Sequence, residues 1–146
     1  MRAKIIKIIN TEIVKHKDLA EKYLSCVTDS YKKKYSFINW LFSFIKPNKA
    51  DKTDLVKSYF KNYKYHKIAS AEFEILKYVV SHVIQRLIKL KKNKQTIKAE
   101  VLELIDRKMN AINRYIKSSQ IASTEYECYL RLYYGYNSIK LQIEKL

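Results

Sequence analysis

Residues 73–88 read FEILKYVVSHVIQRLI, and their spacing decides the fold. Phe73, Leu76, Val80, Val83, Ile84, Leu87 and Ile88 recur in steps of three and four. That rhythm stacks side chains on one face of a helix, whereas a strand would alternate them. Ile75 and Val79 widen the apolar arc, so this helix is expected to sit centrally. It runs out in Lys89, Lys91, Lys92 and Lys94, cations that suit the negative end of a helix dipole. The 146 residues include one Gly and one Pro, too few for the tight turns that sheets require. The expected fold is all-α: one domain over residues 1–146, a bundle of four to five helices.

Toward the N-terminus, Ile6, Ile9, Ile13, His16, Ala20, Tyr23, Leu24, Val27 and Tyr31 keep the same rhythm. They predict a helix from about residue 3 to about residue 34, unless Thr11 caps and splits it. Lys4, Lys7, Glu12, Lys15, Asp18 and Lys22 are expected on its solvent side. The uncharged run Ser36–Ile45 leads to Lys46-Pro47-Asn48-Lys49-Ala50-Asp51, the clearest loop, where Pro47 biases its predecessor away from helix. A further segment is expected from near Thr53, with Leu55, Val56, Tyr59, Phe60 and Tyr63 inward. Ser70 either breaks it from the next or is run through.

Toward the C-terminus, Thr96 is the expected cap of a helix that turns Ile97, Val101, Leu104, Ile105, Met109, Ile112 and Ile116 inward. Glu103 and Arg107 stand four residues apart on its outer side, worth a few tenths of a kcal/mol. Thr124 and Glu127 have the T-x-x-E form of a capping box. Gly135 is expected to kink or stop the last, Tyr-rich helix.

Charge is the strongest pointer to function. Lys and Arg number 30 against 14 Asp and Glu, a surplus of +16. Self-repulsion on that scale opposes compaction, and a polyanionic partner explains it. Residues 1–70 hold 16 cations against 6 acids, and residues 71–146 hold 14 against 8. Between Tyr31 and Lys67 there are ten Lys and two acids, Asp51 and Asp54, with Tyr31, Tyr35, Trp40, Tyr59, Tyr63 and Tyr65 interleaved. Lysines neutralise phosphates and release counterions, and aromatic faces stack on unpaired bases. Lys57, Lys61, Lys64 and Lys67 are the first candidate nucleic-acid contacts, followed by Lys32, Lys33, Lys34, Lys46 and Lys49. Lys outnumbers Arg by 25 to 5. Lys acts as a point charge where Arg forks read guanine edges, so backbone contact with little sequence readout is expected.

Catalytic patterns are mostly missing. One glycine cannot build a Walker A loop or a dinucleotide fingerprint. There is no H-E-x-x-H, no zinc-deaminase pair, and no Arg four to six residues before a His, as a helical ribonuclease of the HEPN type would have. Glu74, Tyr78, His82 and Arg86 line one helix edge at intervals of four. They read as its solvated edge; acid–base work on a phosphodiester is the alternative. His16 is expected as a buried, hydrogen-bonded histidine, with a ligand or pH-switch role as the other option. His66, in basic and aromatic company, is a weaker candidate for touching phosphate. Cys26 and Cys128 lack neighbours at metal-ligand spacing and read as buried thiols of a reducing compartment, a disulfide being the minor reading. No cofactor or metal is expected.

The ten residues Ser36–Ile45 are too short to cross a bilayer, which takes about 20, and Met1–Asn10 is too charged for a signal peptide. A soluble, cytoplasmic protein is expected. In size and composition the chain resembles the small basic helical-bundle proteins carried by viruses and mobile elements. The likeness implies either coating of DNA or blocking of host machinery, and the charge equally suits an inhibitor that fills the acidic nucleic-acid channel of a host enzyme such as RNA polymerase. A third reading is a bundle at a membrane surface, similar to bacteriocin-immunity proteins in being basic and helical, with Trp40 and Phe42 between lysines. An enzyme ranks last.

Overall fold

A computed structural model of the protein describes the backbone over residues 1–41, 49–118 and 123–146, and the side chains over 1–29, 54–118 and 125–146. These residues form four helices: α1 (Arg2–Leu41), α2 (Lys49–Lys89), α3 (Lys94–Lys117) and α4 (Ser123–Glu144). No strand occurs among the described residues. The architecture is an all-α bundle, and two alternative breaks, at Thr11 and Ser70, do not occur. Neither α1 nor α2 contains a Gly or Pro, so nothing in either interrupts the hydrogen-bond ladder. Thr11 does not cap a new helix; its hydroxyl donates to the Lys7 carbonyl at 3.0 Å, one turn back. Ser70 is buried and α2 runs through it.

The chain divides into two compact units, Met1–Val14 with Ala69–Leu146 (unit 1) and Lys15–Ile68 (unit 2). In unit 1 the core is a set of helix stripes. Ile5, Ile9 and Ile13 come from α1, and Phe73, Leu76, Val80, Ile84 and Leu87 from α2. Ile97, Val101, Ile105, Met109 and Ile112 come from α3, and Leu132, Tyr136, Ile139 and Ile143 from α4. Each of these large side chains contributes about 1.5–3 kcal/mol through burial.

The apolar arc of α2 is narrower than its sequence suggests. Ile75 is 51 % exposed and Ile88 50 %, and Val79 is half-buried. A helix in a bundle covers a stripe, and residues on the flanks of that stripe meet water. Glu12 departs in the other direction. It was expected on the solvent side of α1 and is buried, with the Ser138 hydroxyl donating to its carboxylate at 3.4 Å.

Gly135 does not end α4, which continues to Glu144. Its lack of a side chain serves packing. A Cβ there would stand 2.6 Å from Phe73 Cζ. The Phe73 ring fills that space and meets Tyr136 edge-on, centroids 5.3 Å apart. The Tyr136 hydroxyl donates to Glu72 at 3.4 Å, and burial first, then the Glu72 charge, push its pKa up.

Between α2 and α3 the chain turns without glycine. Lys91 takes φ 53°, with its N–H on the Ile88 carbonyl and the Lys92 N–H on the Leu87 carbonyl. These are the two bonds of a Schellman motif, here with a left-handed Lys where Gly is usual. Asn93, not Thr96, caps α3. The Asn93 side chain accepts the Thr96 N–H at 2.8 Å, so Thr96 sits in the capped turn and provides the donor. On the outer side of α3 the Arg107–Glu103 pair forms at 2.9 Å, well exposed. Lys140 of α4 reaches Asp106 of α3 at 2.7 Å, a hydrogen bond that raises the lysine pKa.

Candidate nucleic-acid interface

Unit 2 holds 13 Lys, no Arg and 5 acids. Its α1 and α2 segments run antiparallel, since His16 meets His66 and Tyr23 meets Tyr59. The described part of their shared interior mixes aliphatic, aromatic and imidazole side chains. Ala20, Val27 and Tyr65 are buried there beside His16 and His66. The two imidazoles meet at Nδ1···Nδ1 2.8 Å; one ring must donate and the other accept. Tyr65 abuts His16 edge-on at 5.7 Å, and Tyr23 stacks on His66 at 5.5 Å. Burial, then the neighbouring Lys15 charge, lower the His16 pKa to about 4. His16 is thus the buried, hydrogen-bonded histidine its position on α1 implied. His66 was a candidate for phosphate and is buried instead, 7 % exposed. Sequence gave no sign of the pairing, because 50 residues separate the rings.

With Tyr65 and His66 buried, the arc of α2 that lies away from His66 faces water. Lys57, Lys61 and Lys64 stand at i, i+4 and i+7 on that side, with Lys67 at its edge, and all four are exposed. Residues at those spacings stack into one ridge. Asp54 is the acid at its N-terminal end, 3.7 Å from Lys57, an exposed pair of little energetic weight. Phe60, 43 % exposed, lies within the stripe, and the Lys64 ammonium sits 4.7 Å from its ring centroid. The described outer side of α1 differs. Lys15, Lys17 and Lys22 are exposed there among exposed Asp18, Glu21 and Asp29, so its charge is balanced. In the described part of unit 2, exposed lysines with few acids between them in sequence therefore gather on α2. Lys32, Lys33, Lys34, Lys46 and Lys49 lie outside the residues whose side chains are described, as do Tyr31, Tyr35, Trp40 and Phe42. Tyr59 and Tyr63 are half-buried.

Elsewhere the chemistry is sparse. Glu74, Tyr78, His82 and Arg86 are all exposed, as a solvated edge of α2 requires. The His82 ring is turned onto its own helix, Nδ1 2.9 Å from the Tyr78 carbonyl. An open hollow beside it is lined by His82, Gln85, Arg86, Lys89 and Leu90 of the same region. Cys26 and Cys128 are half-buried free thiols, and burial pushes the Cys128 pKa up. Among the described residues no three His, Cys, Asp or Glu side chains are grouped to hold a metal ion. No helix among them is long and apolar enough to cross a membrane. Comparison of the chain with protein families, with curated proteins and with solved structures finds no match in any of the three.

Proposed function

We propose that the protein acts by binding, and that it holds nucleic acid by its phosphates through Lys57, Lys61, Lys64 and Lys67. The observation that carries this reading is the exposed stripe these residues form on α2, with a single acid, Asp54, at its end. A solvated helix face needs charge, but it does not need charge of one sign. Four phosphates neutralised by four lysines give an affinity that falls steeply with salt, with a log–log slope of roughly −3. With lysines alone in unit 2, sequence discrimination is small.

The test is fluorescence anisotropy with labelled DNA and RNA at two salt concentrations, comparing the wild type with the Lys57→Glu, Lys61→Glu, Lys64→Glu triple variant. Binding is lost in the variant while the helical circular dichroism signal is kept. Retained binding moves the contact surface elsewhere. If the wild type ignores nucleic acid and captures an acidic protein or anionic vesicles through the same lysines, the partner class is wrong.

A further inference from the structure

We propose, resting on the reading above, that the α2 stripe is built for single-stranded nucleic acid, with Phe60 and Tyr63 as the platform on which an unpaired base stacks. Phe60 follows Lys57 by three residues and precedes Lys64 and Lys67 by four and seven, which sets its ring among the cations. The Phe60 and Tyr63 rings lie 6.1 Å apart and are inclined by only 29°. Phe60 is 43 % exposed and Tyr63 half-exposed, so both rings of the pair keep surface open to water. Tyr59 is not available for this, because it packs against Tyr23 at 6.2 Å. The Lys64 ammonium over the Phe60 ring is a cation that a phosphate can draw off as a base takes its place. From Lys57 to Lys67 the helix rises about 15 Å, long enough to follow a strand over a few nucleotides.

Duplex ends aside, double-stranded nucleic acid hides its base faces in the stack, so an aromatic platform gains nothing from it. A membrane is a poorer match. Helices that lie on bilayers segregate an apolar face from a cationic one, whereas Phe60 stands inside the cationic stripe and the far side of the helix, at His66, is buried.

Phosphate contact alone favours duplex, whose charge density is higher, with a salt slope near −0.9 per phosphate against −0.7 for a single strand. A preference for single strands therefore has to come from stacking. The experiment titrates wild type, Phe60→Leu and Phe60→Trp with 20-nucleotide oligo(dT), oligo(U) and a 20-base-pair duplex. The expected result is wild-type preference for the single strands. Phe60→Leu keeps an apolar side chain without a ring and weakens single-strand binding by roughly 5- to 100-fold. Duplex binding stays within twofold, and Phe60→Trp restores the single-strand affinity. Duplex preference in the wild type, or equal effects of Phe60→Leu on both substrates, overturns the single-strand inference while leaving phosphate binding in place. Absence of any nucleic-acid binding overturns both readings.

Discussion

The two units of this chain carry the same surplus of cations by different means. Unit 2 has 13 Lys against 5 acids, and unit 1 has 17 Lys and Arg against 9 acids over a longer span. All five Arg lie in unit 1. Unit 1 sets its surplus on helices whose inner stripes are Ile, Val, Leu and Phe. The described interior of unit 2 joins its helices through two histidines and two tyrosines. Apolar burial is indifferent to pH and dominates stability; a histidine pair is neither. Unit 1 thus rests on apolar burial, while unit 2 carries the denser charge and its described interior includes a polar, aromatic seam.

The largest expected effect breaks the apolar side of that comparison. Phe73 is fully buried, so Phe73→Ala removes about 3–5 kcal/mol of stability by chemical denaturation. A loss under about 1 kcal/mol, far below that range, would show that the ring does not hold unit 1 together.

Next comes the pH dependence of the histidine seam. The His16 pKa is lowered to about 4 in the fold, against an ordinary value of 6.5. As pH falls, the unfolded chain takes up this proton first. The stabilisation is therefore whole above about pH 6.5, declines as pH falls, and is gone below about pH 4. The span corresponds to at most about 3 kcal/mol. Carboxylates also titrate in this window, so the measurement is the difference between wild type and His16→Gln at pH 7, 5 and 4. A difference that does not change with pH removes the contrast between the units.

The smallest effect sharpens the picture of unit 1. Gly135→Ala brings a methyl against Phe73, an overpacking of about 1–3 kcal/mol. The better helix propensity of Ala returns about 1 kcal/mol, for a net loss of about 1 kcal/mol. In a Phe73→Leu background the penalty shrinks, and a double-mutant cycle reads the coupling. Strict additivity would place the Phe73 ring away from Gly135.

Some of this is legible in the sequence. The inner face of α3 follows from its period, and Ile97, Val101, Ile105, Met109 and Ile112 are all buried as spaced. The Glu103–Arg107 pair is equally local. The exposure of Lys57, Lys61 and Lys64 follows from the same rhythm. Ile75 and Ile88 were misplaced because periodicity shows how wide an apolar arc is, not how much of it neighbours cover. The cap of α3 was misassigned because Asn93 and Thr96 both suit the role, and only backbone dihedrals distinguish the capping residue from its donor. Helical spacing places Phe60 inward, since an aromatic in that rhythm usually packs. It stands instead among the lysines.

Local chemistry determined that this chain is helical and basic, because helix propensity, the scarcity of Gly and Pro, and net charge are properties of residues and their near neighbours. Tertiary structure decided the rest. It joined His16 to His66 across 50 residues, buried Glu12 beside Ser138, and fitted Phe73 into the space above Gly135. No spacing rule encodes those contacts. They depend on which faces of distant helices meet, and that is settled only when the helices pack.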